Sequence, residues 1–131
     1  MPAPPSMHIG EVAARTELSL RSLRHWDEVG LLRPSGRTDG GFRLYTEDDV
    51  DKILVIRRMK PLGFSLDEMS SAMRDIEMLD AHHPDAPGID AALARLTQLC
   101  DRAAEQRAKL AAQLDMADEF IDILRRRVRS P

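Results

Sequence analysis

The chain has one cysteine, Cys100, in 131 residues. A single thiol excludes an internal disulfide framework and a zinc site built from cysteines alone. Aromatic residues make up only 4% of the chain, which is thin for a large core and fits helices held by aliphatic packing. There is no run of ~18 apolar residues and no charged-then-apolar leader, so neither a membrane span nor a secretory signal is expected and the cytoplasm is the default. Nucleophile–base pairs, phosphate loops and dinucleotide patterns are missing as well, so no catalytic activity and no cofactor are expected. His82-His83, with Asp80 and Asp85 nearby, sit in a linker pattern where adjacent side chains point apart, and they read as solvated rather than as metal ligands.

Charge of one sign is also lacking on average, since the net charge is −3. The distribution is more informative than the total. Residues 15–43 carry Arg15, Arg21, Arg24, Arg33, Arg37 and Arg43 against four acids, whereas residues 67–90 carry seven acids against Arg74. The chain is polarised, with a basic segment masked by an acidic one.

The basic segment has a definite organisation. Residues 1–7, rich in proline, read as a flexible arm. Ile9, Val12 and Ala13 have the spacing of a short amphipathic helix. Glu17-Leu18 makes a turn, and Ser19 caps a second helix whose Leu20 and Leu23 should face the first. Gly30 stops that helix. Pro34 to Gly41 is turn chemistry between two short extended pieces, so Asp39 to Tyr45 reads as a hairpin tip. Thr46 to Asp49 approximates a capping box for a third helix over Val50 to Ile56, ended by Pro61 and Gly63. Ser65 to Glu68 is a full capping box for a fourth, with Leu66, Met69, Met73 and Ile76 as its apolar face. A helix-turn-helix followed by a basic hairpin is the pattern of a winged domain that grips duplex DNA at two points, over residues 8–76.

Residues 77–88 read as a linker. From Ile89 to Val128 apolar residues alternate by four and three: Leu93, Leu96, Cys100, Ala103, Arg107, Leu110, Leu114, Ala117, Ile121 and Leu124 lie on one seam. A helix of that span is roughly 60 Å long at ~1.5 Å per residue. A small domain should not cover such a stripe, so the expected partner is the same helix of a second chain. Arg107 interrupts the seam and can set register. Cys100, on the seam, reads first as a small buried hydrophobe. The fold class is therefore mainly α, with a small β wing and a long coiled-coil dimerisation helix at residues 89–128.

As DNA contacts, Arg21, Arg24 and Arg43 lead, because they fall on the exposed faces of the helix-turn-helix and its wing. Trp26 reads as partly buried. Phe42 and Tyr45 read either as packing residues or as contacts to the sugar-phosphate backbone. Arg125, Arg126 and Arg127 read as cations favoured near a helix C-terminus.

Several ordered motifs, namely Ile9-Gly-Glu-Val-Ala-Ala, Leu23-Arg-His-Trp-Asp27, Gly30-Leu-Leu, Gly41-Phe-Arg-Leu-Tyr45 and Leu62-Gly-Phe-Ser-Leu66, resemble the MerR family of bacterial transcriptional regulators in order and spacing. The resemblance implies a homodimer joined by an antiparallel coiled coil, bound to a palindromic site in double-stranded promoter DNA, which it bends and untwists. It places Arg21, Arg24 and His25 on the recognition helix, Arg37, Phe42, Arg43 and Tyr45 on the first wing, and Arg58 and Lys60 close to a second wing at Leu62-Gly63-Phe64. It also implies an indirect link to RNA polymerase and a nucleoid-associated location. The family's paired tyrosines appear here as His25-Trp26, and its sensor cysteines and drug-binding domain have no counterpart, so an effector is left open. Two other readings stand beside this one. One is an excisionase-like architectural DNA-bending protein; the other is a thiol-based redox or electrophile sensor acting through Cys100.

Overall fold

A computed structural model describes residues 5–81 and 85–130. Its elements are β1 (Ser6–His8), α1 (Ile9–Thr16), α2 (Leu20–Glu28), β2 (Gly36–Arg37), β3 (Arg43–Thr46), α3 (Glu47–Met59), a 3-10 turn at Lys60–Leu62, α4 (Leu66–Ala81) and α5 (Ile89–Arg129). The three short strands form one antiparallel sheet in the order β1-β3-β2.

Local chemistry accounts for most boundaries. Glu17 turns the chain after α1 with φ 57°. The Ser19 hydroxyl accepts a hydrogen bond from the Ser22 amide at 3.0 Å and opens α2, satisfying a donor that the first turn leaves free. Gly30, at φ 76°, lets the chain leave α2 in a left-handed conformation that other residues rarely adopt. At the start of α3 the Thr46 hydroxyl accepts from the Asp49 amide, and the Asp49 carboxylate accepts from the Thr46 amide. The same carboxylate oxygen accepts from the Ser35 amide and hydroxyl at 3.1 and 2.6 Å. A short Asp at this position thus caps the helix and anchors the loop ahead of β2. Ser65 and Glu68 cap α4 reciprocally, each amide donating to the other side chain at 3.1 Å.

The core lies where α1, α2 and α3 meet the inner face of the sheet. Val12, Leu23, Tyr45, Ile53 and Ile56 are fully buried, and Trp26 closes the α2 side. Burial of each such side chain is worth about 1.5–3 kcal/mol, so this small cluster organises the domain.

Four expectations need correction. The arm at residues 1–7 is not wholly flexible: Ser6 and Met7 belong to β1, pair with Thr46 and Tyr45, and Met7 is buried. The backbone hydrogen bonds that β3 offers on its free edge recruit this segment; residues 1–4 lie outside the described residues. Leu20 is exposed rather than packed on α1, because Leu23 and Trp26 take the inward face of α2. The linker is shorter than 77–88, since α4 continues to Ala81. His82-His83 and Pro84 lie outside the described residues.

The fourth correction concerns α5, which is one 41-residue helix. Its first four turns dock on their own domain. Ile89 and Ala92 are buried, Leu99 and Ala103 pack on the core, and Leu96 is half-buried facing α4. Two polar pins fix the contact. Arg95 grips Asp75 with bonds of 2.9 and 2.8 Å. Arg102 pairs with Glu68, and its guanidinium stands 5.3 Å from the centroid of the Phe64 ring. Leu96 and Ala103 are therefore covered by the same chain, contrary to the expectation of a purely intermolecular seam. Leu93, Cys100 and Arg107 remain exposed beside them, and every seam residue from Leu110 onward is exposed. A heptad has two core positions per turn pair; in the first half of α5 the domain occupies one of them and leaves the other open.

Candidate nucleic-acid interface

Once Leu23, Trp26 and Asp27 turn inward, the opposite face of α2 consists of Arg21, Arg24 and His25, all exposed. Together with Ser22, Glu28 and Lys60 they line a shallow depression. Lys60 reaches it from the far end of α3, so two segments separated in sequence share one basic surface. Arg58 is exposed near the end of α3 but does not line that depression.

The bases of this surface cluster without ion pairs to Glu28, the acid at its edge. Several bases elsewhere in the domain are neutralised: Arg15 by Glu47, Arg57 by Glu17, and Lys52 by Asp48 and Glu77. Arg21, Arg24, Arg58 and Lys60 make no ion pair with any described residue. Exposed unpaired cations on a helix flanked by a hairpin can neutralise phosphates and place side chains in a major groove.

The hairpin stands beside α2. Its tip is closed by a bond from the Gly41 amide to the Thr38 carbonyl at 2.8 Å, and the Phe42 amide donates to the Thr38 hydroxyl at 3.0 Å. Gly41, at φ 85°, supplies the left-handed residue that such three-residue hairpin loops require. The Phe42 ring is 69% exposed, and it is the most prominent apolar group of the wing.

Three wing residues do not sit as expected. Tyr45 is 1% exposed and is a core residue, so its ring and hydroxyl do not reach the surface. The alternation of β3 explains this: Tyr45 points inward, toward the helices. Burial pushes the Tyr45 phenol above its usual pKa, and the hydroxyl has no hydrogen-bond partner among the described residues. Arg43 and Arg37, meanwhile, are not free. Both donate to the same oxygen of Asp27, Arg43 through Nε and Arg37 through Nη2, each at 2.7 Å. Burial alone would raise the Asp27 pKa; the two guanidiniums outweigh it and hold the carboxyl below its usual range. Arg43 is raised in turn by the same hydrogen bond.

Asp27 is the residue that sequence reasoning missed. In the chain it is one acid in a basic stretch; in the fold it joins α2 to the wing. The available signal was indirect: Arg37 and Arg43 are directly opposed in the β2–β3 register, and opposed like charges need a counter-ion.

A short helix pair with a basic outer helix, followed by a hairpin braced against it, defines a winged helix-turn-helix protein. The model of the MerR HTH family regulatory protein matches residues 7–76, and the chain belongs to that family. Nodulation protein NolA of Bradyrhizobium sp. (strain NC92) is 40% identical over 95 residues, which are 72% of this chain and 40% of NolA. The chain thus spans less than half the length of that relative. A MerR-family transcriptional regulator from Bacillus cereus has a similar structure, with a TM-score of 0.63 at 27% identity, covering 93% of this chain and 79% of the other. HiNmlR, a MerR-family regulator lacking the sensor domain and solved bound to promoter DNA, shares the fold. Its TM-score is 0.70 at 20% identity, over 93% of this chain and 92% of that one. No helix among the described residues is long and apolar enough to cross a membrane.

Proposed function

We propose that this chain is a transcriptional regulator that binds promoter DNA as a homodimer and acts by bending and untwisting it. The observation that carries the reading is the unneutralised basic face of α2, joined by Lys60 and flanked by the braced wing. Arg21, Arg24 and His25 face the major groove. Phe42 and Arg37 meet the adjacent backbone, and Arg58 and Lys60 extend the contact past α3. Arg43 supports the wing from within and Tyr45 belongs to the core.

The dimer rests on α5. Leu110, Leu114, Ile121 and Leu124 are exposed apolar residues on one face, with Ala117 between them and Leu93, Cys100 and Arg107 continuing toward the domain. Pairing with the same face of a second copy, antiparallel and centred near Arg107 to Leu110, covers them and sets two winged domains at a fixed separation. Rigid spacing is what converts two phosphate grips into deformation of the DNA between them. The link to RNA polymerase follows through that deformed DNA.

Arg24→Ala tests the interface. A gel-shift titration against a duplex selected by the protein from a random pool is expected to show more than a tenfold loss of affinity, on the order of 1.4 kcal/mol. If Arg24 contacts a phosphate, the slope of log affinity against log salt falls by about 0.9. Unchanged affinity and slope contradict the placement of α2 on DNA.

A further inference from the structure

We propose that Asp27 sorts the two wing arginines into different roles: it fixes Arg43 as a strut and holds Arg37 as the guanidinium that is handed over to a DNA phosphate. The inference rests on the DNA-binding reading above and deepens it.

Arg37 and Arg43 are Cα partners across β2 and β3. Two like charges directly opposed on a two-stranded ribbon drive the strands apart. Asp27 meets both through a single oxygen, but it carries one charge against two. Within this trio one guanidinium charge is left over; Glu28 also acts on Arg43, but only through space and not through a hydrogen bond.

The two arginines are not equivalent. The Arg43 side chain is 23% exposed and engages Asp27 through Nε, close to the chain. The Arg37 side chain is 46% exposed and engages through a terminal nitrogen; its other terminal nitrogen makes only a long contact, 3.4 Å, to the Gly41 carbonyl. Arg37 can swing outward while Arg43 keeps Asp27 neutralised, so a phosphate arriving beside Phe42 receives Arg37 without leaving a buried carboxylate unpaired. An unpaired buried charge is the costly outcome, and the second arginine prevents it.

The proposal has a consequence opposite to simple electrostatics. Removing a carboxylate from a DNA-facing surface normally strengthens binding to any duplex. Without the Asp27 charge, however, the opposed arginines repel and the wing loses its position against α2. Asp27→Asn is expected to weaken binding to the selected duplex at least tenfold, while binding to an unselected 30-base-pair duplex holds or strengthens. If both affinities rise, Asp27 is a passive charge; if both fall together, its role is general structural support. Either result overturns the proposal. Arg37→Ala supplies an independent arm on an exposed residue. The expected result is an unchanged thermal midpoint with the salt slope lowered by about 0.9, and an unchanged slope contradicts the handover. Failure of the wild-type protein to select any duplex refutes the DNA-binding reading itself, and is distinct from these outcomes.

Discussion

Tyr45→Phe separates two accounts of the wing. As a phosphate contact, the Tyr45 hydroxyl would contribute a hydrogen bond to a charged group, worth about 1.5–3 kcal/mol, and its loss would weaken DNA binding roughly 10- to 150-fold. In the structure that hydroxyl is buried, on a residue 1% exposed, with no partner among the described residues. Leaving a polar group in that state costs about 1–3 kcal/mol. Replacing it by hydrogen keeps the ring and its packing, so the variant should be more stable by about 1 kcal/mol. For a chain of this size that corresponds to a rise in the thermal midpoint of roughly 3–5 °C. Thermal unfolding followed by circular dichroism reads the first effect, and a gel-shift titration reads the second. The expected pair of results is a raised midpoint and unchanged affinity. A tenfold loss of affinity with an unchanged midpoint would refute the assignment of Tyr45 to the core.

Acidification should release the ionic pins in a defined direction. Hydrogen bonds from Arg102 and from the Ser65 amide hold Glu68 down at about 2, Arg95 holds Asp75 low, and the wing arginines outweigh the burial that would otherwise raise Asp27. Groups with depressed values stabilise the fold above their ordinary pKa, near ~4, and that contribution is lost as pH falls through the folded-state values. The thermal midpoint is expected to drop between about pH 4 and pH 2, and Asp75→Asn should show a shallower drop than the wild type; equal slopes would contradict the assignment. Cys100 reports on the dimer. In an antiparallel pair centred near Arg107 to Leu110, the two thiols lie roughly 20–30 Å apart at ~1.5 Å per residue, beyond the ~7 Å Cα separation that a disulfide allows. Mild oxidation should give no Cys100-linked dimer on a non-reducing gel, and ready crosslinking would refute the antiparallel arrangement.

The parts of the fold legible in the sequence are those determined locally. Ser19, Gly30, Thr46, Ser65 and Gly63 mark helix ends through side-chain caps or left-handed backbone, and each acts within a few residues of itself. The exposed face of α2 was legible for the same reason, since helical periodicity sets Arg21 and Arg24 opposite Leu23. Apart from Leu20 and the end of α4, the misread features depend on partners distant in sequence. Nothing near Met7 announces that β3, almost forty residues later, has an edge for it. Tyr45 was ambiguous until the sheet had an inside. Asp27 acquires its role only when β2 and β3 bring two guanidiniums to it. The seam of α5 was legible as a stripe, but periodicity does not say who covers it. Asp75 and Glu68 on α4 decide that, by pinning Arg95 and Arg102 so that the first turns of the stripe dock at home.

The central claim, a dimeric regulator gripping promoter DNA through α2 and the wing, is tested most directly by mapping the DNA that the intact protein occupies in its native genome. The account predicts sites built from two inverted half-sites that lie within promoters, between the −35 and −10 elements. Occupied sites made of unpaired half-sites, or sites clustered at recombination arms away from promoters, would contradict it.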